Sequence, residues 1–83
     1  MAFEYKESTR FMEILSEEWS KGTGAVATRV VTDRMRDEGQ RFQDHQVGSY
    51  LLLLRESDKA SILAESDVEL ANGNAVIIGL SDR

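Results

Sequence analysis

The sequence predicts an α+β fold in which three helices are followed by a C-terminal β-hairpin. Three observations lead to this prediction. Apolar residues recur at helical spacing between residues 8 and 56, glycines separate the periodic segments, and an Asn-Gly pair stands between apolar runs near the C-terminus. The alternative is two helices followed by a three-stranded antiparallel meander. With 83 residues, the chain is expected to form a single small domain over residues 1–83.

The first helix is expected over residues 8–20. Ser8 or Thr9 can serve as its N-cap, because a hydroxyl oxygen accepts a bond from the free N–H groups of a first turn. Gly22 and Gly24 then interrupt the helical pattern. The apolar residues at helical spacing are Phe11, Met12, Leu15 and Trp19.

The second helix is expected over residues 24–38, with Thr23 as its N-cap and Gly39 just beyond its end. A strand is the rival interpretation, because β-branched residues dominate its first half. Strict alternation fails where Val30 and Val31 are adjacent, which favours the helix. The predicted apolar stripe consists of Val26, Val30, Val31 and Met35.

The third helix is expected over residues 44–56, capped by Asp44. Its first half is polar and its second half apolar. Gly48 weakens a helix by about 1 kcal/mol relative to alanine, and a buried strand over residues 50–55 remains the alternative, because periodicity alone does not separate short apolar runs. The residues at helical spacing are Val47, Tyr50, Leu51 and Leu54.

The hairpin is expected over residues 61–80, with Asn72-Gly73 as a type I′ turn. The arms are residues 61–64 at the start of the ascending strand and 75–80 in the returning strand. The register about that turn forms two cross-strand pairs of apolar residues, Leu70 with Ala75 and Val68 with Ile77.

Leu52 and Leu53 extend the third helix's apolar character to the side away from its main stripe. A helix that is apolar all round must be covered all round. The cover is either the returning hairpin or a second subunit, so both leucines are candidate dimer-interface residues.

The chain is acidic: 10 basic and 15 acidic side chains give a net charge of −5. This sign opposes nonspecific binding to nucleic acid. Most arginines lie in the middle of the chain, where the simplest expectation is pairing along one helix surface. The expected pairs are Arg29 with Asp33, and Arg34 with Asp37 or Glu38.

Composition also limits the compartment in which the protein is expected and the kinds of site that it can contain. Cysteine is absent, which excludes disulfides and thiolate metal sites and fits a reducing compartment such as the cytoplasm. No run of about 20 apolar residues is present to span a bilayer, and the start of the chain lacks the apolar region of a signal peptide. We therefore expect a cytoplasmic protein with no membrane partner.

The sequence offers little for catalysis. Residues 22–27 match G-x-G-x-x-A, but a helix precedes them where a dinucleotide site needs a strand. His45 is the only histidine and has no evident nucleophile beside it. Glu65, Asp67 and Glu69 alternate on a predicted strand and are more typical of a solvated edge than of a metal site. We predict no enzyme activity, no cofactor and no metal.

The order helix, turn, helix, polar turn, helix, hairpin resembles the winged helix-turn-helix family of DNA-binding domains, over roughly residues 10–80. The resemblance is carried by residues 26–39 as the second helix, 40–42 as the turn and 44–55 as the third helix, which is polar at its start.

This resemblance implies a dimeric transcriptional regulator that recognises double-stranded DNA with its third helix in the major groove. By position, Gln43, His45, Gln46 and Ser49 would meet base edges. Thr23 and Arg41 would contact phosphates, and Asn72 and Asn74 at the tip of the wing would lie near the flanking backbone or the minor groove. The alternative is an acidic protein-interaction module that binds a basic protein partner and no DNA.

Overall fold

The computed structural model describes residues 3–81, which contain four helices and a three-stranded antiparallel sheet. The predicted α+β class is therefore confirmed. In chain order the elements are α1 (Tyr5–Trp19), β1 (Val26–Ala27), α2 (Thr28–Asp37), α3 (Asp44–Glu56), β2 (Ala60–Leu63), α4 (Asp67–Ala71) and β3 (Val76–Leu80).

Helix α1 begins three residues before the predicted start, because its cap is Glu4 and neither Ser8 nor Thr9. The N–H of Glu4 donates to the Glu7 carboxylate at 3.0 Å, an arrangement that satisfies a free donor at a helix start. The Ser8 hydroxyl instead donates to the Tyr5 carbonyl within the helix.

The second predicted helix divides into a strand and a helix. Val26 and Ala27 form β1, and α2 starts only at Thr28, so the rival strand interpretation is right for these two residues. The cause is tertiary: Val26 pairs with Ile77 and Ala27 with Val76 of β3. Cross-strand packing here outweighs local helix preference.

Helix α3 has both predicted bounds, and the strand alternative for residues 50–55 is wrong. Val47, Leu51 and Leu54 point into the core, as the spacing predicts. This is the element on which the DNA-binding hypothesis depends.

The hairpin turn is wrong, although the two arms do pair in antiparallel fashion. Helix α4 lies between β2 and β3, and the register joins Ile62 to Ile77 and Leu63 to Val76. The predicted pairing of Leu70 with Ala75 and of Val68 with Ile77 does not occur, because Leu70 and Val68 are in α4.

The Asn72-Gly73 pair ends α4 instead of turning a hairpin. Ser66 caps the start of α4, its hydroxyl accepting from the Glu69 N–H at 3.2 Å, and Asn72 is the C-cap. Gly73 follows with a φ of 82°, the left-handed conformation that a residue after a helix end adopts. The positive φ that the predicted turn required of Gly73 is therefore found at the end of a helix. The predicted strand row of Glu65, Asp67 and Glu69 is lost with it.

The strand order is β1-β3-β2, so β3 is central and β2 forms one edge. Buried apolar residues of α1, α2, α3, α4 and all three strands form one core cluster. Its largest fully buried side chains are Phe11, Ile14, Leu15, Val31, Met35, Val47, Leu51 and Ile77.

Within residues 3–81 the predicted ion pairs along α2 do not form, and Arg34 and Arg10 instead form ion pairs between α1 and the α2 segment. Arg34 contacts Glu17 at 2.9 Å and Glu18 at 3.0 Å on α1, and Arg10 of α1 pairs with Glu38. Because α1 and α2 pack side by side, these inter-helix partners are closer than the expected partners within α2.

These pairs predict loss of stability in acid. Hydrogen bonds from Lys21 and Arg34 hold the pKa of Glu18 below its ordinary value. A carboxyl with a lowered folded-state pKa stabilises the protein above its unfolded-state pKa, and this stability is lost as the pH falls through the folded value. We expect the melting temperature to decline below about pH 4.3.

Glu18→Gln should lower the melting temperature at neutral pH and flatten its decline in acid. Glu56→Gln, at an exposed position with no ion pair among residues 3–81, should leave the decline as steep as in the unmodified protein. An acid limb unchanged by Glu18→Gln would contradict the role given to Glu18.

Candidate functional site

The outward side of α3 presents a surface that is polar at its start and apolar at its end. Residues spaced on this side, opposite the buried stripe, are His45, Ser49, Leu52, Leu53 and Glu56. His45 is exposed and Ser49 half-buried. Neither side chain forms a hydrogen bond within residues 3–81, so both are available to a ligand.

Helix α4 holds the first half of α3 in place. A Cβ at Gly48 would lie 2.0 Å from the Ala71 carbonyl oxygen, so the two backbones are in direct contact there. A Cβ at Gly73 would lie 2.7 Å from the Val47 side chain. The segment between β2 and β3 thus packs against the same turns of α3 that carry His45 and Ser49.

The two glutamines predicted to contact bases, Gln43 and Gln46, form the cap at the start of α3. The N–H of Gln43 donates to Oε1 of Gln46 at 2.8 Å, and Gln43 is the N-cap residue. Bidentate pairing with adenine uses both the oxygen and the nitrogen of the amide. The Gln46 oxygen that such a pair would use already accepts the capping bond, whereas the His45 and Ser49 side chains form no hydrogen bond within residues 3–81.

Arg41 is exposed in the turn of residues 38–43 and forms no ion pair within the described part of the chain. Its neighbour Arg36 is committed: it contacts Asp44 at 3.0 Å, and its guanidinium lies 4.4 Å from the centre of the Phe42 ring. Arg41 is therefore the free cation beside the start of α3.

Thr23 does not lie at the start of α2, so the placement from which its phosphate contact was predicted is wrong. Its hydroxyl donates to the Ala25 carbonyl at 2.8 Å in the loop before β1, and α2 is preceded by Ala27 as N-cap. The prediction fails because β1 separates Thr23 from the helix.

Asn72 and Asn74 do not form the tip of a hairpin, because α4 replaces the turn. Asn74 instead links two elements: Nε of Arg29 donates to its Oδ1 at 2.9 Å, and its Nδ2 donates to Oε2 of Glu69 at 2.9 Å. Asn74 is thus engaged inside the molecule, whereas Asn72 is exposed at the end of α4.

The two candidate dimer-interface leucines differ in exposure. Leu52 is half-buried and packs against the core, whereas 54% of Leu53 is exposed. The fold covers one leucine in part and leaves the other in solvent.

A shallow groove on the outer face of the sheet is a feature that the sequence analysis missed. It has a volume of about 720 Å³, and its floor includes Ala27, Val76 and Leu63. These three residues belong to neighbouring strands in register. This cross-strand row can be recognised only if β1 is known. The helical pattern of residues 24–38 hides that strand in the sequence.

The rim of this groove is charged, and its polar residues are Arg29, Glu65, Glu69 and Asn74. The acidic side chains lie in and just before α4. Among residues 3–81 no three potential ligands of the histidine, aspartate or glutamate type come close enough to hold a metal ion.

Crossing a bilayer takes a long apolar helix, and none of the helices between residues 3 and 81 meets that requirement. Comparisons with protein-family models, with curated proteins and with solved structures found no match.

Proposed function

We propose that the protein is a cytoplasmic transcriptional regulator of winged-helix type that binds duplex DNA through the first half of α3. The observation that carries the proposal is the pair His45 and Ser49. Both are accessible and unbonded within residues 3–81, on a helix that follows α2 across a short turn. In helix-turn-helix proteins the N-terminal residues of the second helix meet base edges in the major groove.

Arg41 supplies the phosphate contact in this proposal. It precedes α3 and is not neutralised by a neighbouring carboxylate, unlike Arg10, Arg34 and Arg36. A guanidinium pairs with phosphate oxygens through charge-assisted hydrogen bonds. Its location orients the start of α3 toward the duplex.

The charge distribution limits the strength of binding. The net charge is −5, and Glu65 and Asp67 lie exposed just before and at the start of α4, the helix that packs on the first half of α3. These carboxylates repel phosphates at distances up to the Debye length, which is about 10 Å at 0.1 M salt. We therefore expect weak binding, confined to low salt, to DNA of unrelated sequence. Tight binding is expected only at a matching base sequence.

The test is a fluorescence-anisotropy titration of a labelled mixed-sequence duplex over a range of salt concentrations. Arg41→Gln should weaken binding and reduce the slope of log K against log salt by about 1, since one phosphate contact is lost. His45→Ala and Ser49→Ala should weaken binding with little change in that slope.

Arg55→Gln is the matched control. Arg55 is also exposed and unpaired within residues 3–81, but it lies in the last turn of α3, about 17 Å along the helix axis from Asp44 at 1.5 Å per residue. Equal losses for Arg41→Gln and Arg55→Gln, or no binding at the lowest salt, would reject recognition by the start of α3.

A second candidate is an acidic protein-interaction module, favoured by the net charge of −5 and by the exposed Leu53. An acidic chain with an exposed apolar residue suits a partner that is basic with an apolar centre. The same titration separates the two functions: binding of polylysine in place of the duplex, weakening with salt, would favour the protein partner.

A further inference from the structure

We propose that β2 pairs in antiparallel fashion with β2 of a second copy of this chain, forming a two-fold symmetric dimer whose sheet runs through both copies. The proposal does not depend on DNA binding. It rests on three features of β2: an unprotected edge, the direction of its backbone groups and the charges that flank it.

The edge is the first feature. In the order β1-β3-β2, β2 has a strand neighbour on one side only within residues 3–81. Exposed strand edges are ordinarily protected by charged side chains or proline. Residues 60–63 contain neither, and the acidic residues that would guard this edge lie outside the strand, in and before α4.

The backbone direction is the second feature. The Ser81 N–H donates to the Lys59 carbonyl at 3.0 Å, and Ala60 is the register partner of Leu80. This makes Ala60 and Leu80 a non-hydrogen-bonded pair, in which the N–H and C=O of Ala60 point away from β3. The register shifts between Ser61 and Ile62, so the direction at Ile62 is read from its partner Ile77. The Thr28 N–H donates to the Ala75 carbonyl, which makes Val26 and Ile77 a hydrogen-bonded pair whose Ile77 groups face β1. The N–H and C=O of Ile62, opposite Ile77, therefore point to the open edge.

The flanking charges select the register. Two-fold pairing centred on Ile62 sets Ile62 opposite its own counterpart, with its outward N–H and C=O groups bonded reciprocally. It also brings Lys59 of each copy, the residue before β2, near Glu65 of the other, which lies two residues after β2. Both side chains are exposed and without an ion pair within residues 3–81, so the dimer gains two ion pairs at the ends of the paired strands.

Neighbouring registers lack this match. Centring the axis on Ser61 sets Lys59 opposite Leu63, and centring it on Leu63 requires Asp67, which is in α4. In the register about Ile62, Leu63 lies beside Ser61 of the second copy on the outer face. There 59% of the Leu63 side chain is exposed in one copy alone, and part of it would be covered.

Four strand residues make a small contact, so the dimer should be weak and depend on concentration, as expected for interfaces below about 1,200 Å². Sedimentation equilibrium over a wide range of protein concentration measures it without DNA. Lys59→Glu and Glu65→Lys should each raise the dimer dissociation constant roughly tenfold, because two attractions become two repulsions.

The double variant Lys59→Glu/Glu65→Lys should restore the dissociation constant to that of the unmodified chain. Lys6→Glu is the control, because it changes net charge as Lys59→Glu does but lies on α1. Amide hydrogen exchange should show protection of the Ile62 N–H that grows with protein concentration.

Three results would overturn the proposal. The chain could stay monomeric at every concentration, the double variant could fail to restore association, or Leu53→Glu could abolish association while Lys59→Glu leaves it unchanged. The last result would assign the interface to α3.

Discussion

Gly48→Ala is expected to destabilise the protein by about 3 kcal/mol, although the same change in an isolated helix is stabilising by about 1 kcal/mol. The reversal has a structural cause. The new Cβ would lie 2.0 Å from the Ala71 oxygen and 2.4 Å from the Ala71 carbonyl carbon. Both are backbone atoms, so relief requires moving α4 away from α3. Urea unfolding followed by circular dichroism measures the change.

Gly79→Ala is the matched control for this prediction. Gly79 lies in β3, and a Cβ there would meet the Ser61 side chain at 3.4 Å, an ordinary contact. Gly79→Ala should shift the unfolding midpoint little. If Gly48→Ala proves as stable as Gly79→Ala, α4 does not pack against α3 as described.

Gly48→Ala also links packing to the proposed function. Displacing α4 alters the support of the first half of α3, where His45 and Ser49 lie. DNA affinity should therefore fall for Gly48→Ala even under conditions where the variant is fully folded.

Thr28→Val is expected to cost about 2–3 kcal/mol, despite the similar size of the two side chains. Thr28 is fully buried. Its hydroxyl donates to the Gly73 carbonyl at 2.6 Å and accepts from the Ala75 N–H at 3.0 Å. Valine leaves both backbone groups without a partner, and an unsatisfied buried polar group bears its desolvation cost.

Thr32→Val provides the comparison. Thr32 is also buried, but its hydroxyl donates to the Arg29 carbonyl three residues earlier, at 3.3 Å. This bond is long and local, so its loss should cost well under half as much. Equal costs for the two threonines would mean that the link from Thr28 to the α4–β3 connection adds no stability.

The elements set by local periodicity are predicted well from the sequence. Helix α3 has the expected bounds, and its spacing identifies Val47, Leu51 and Leu54 as buried. Helix α1 is found with a shifted start, because a Glu4–Glu7 cap is less recognisable than a serine or threonine cap.

The candidate site depends on α3 and on the turn before it. His45 and Arg41 are exposed and Ser49 is half-buried, and whether they contact DNA stays a prediction. The roles of Thr23, Asn72 and Asn74 depend on where α2 starts and where the hairpin turns. Both of those positions are decided by contacts with distant parts of the chain.

Local sequence leaves the structure of two short segments undetermined, residues 26–27 and residues 72–73. Helical periodicity, glycine interruptions and β-branched runs specify the class, the three long helices and the two arms of the sheet. Only the assembled fold decides that Val26 and Ala27 join β3 and that Asn72-Gly73 ends α4. The physical reason is that a short strand and a residue with positive φ are each compatible with several local structures, and the choice among them depends on partners about 45 to 50 residues away.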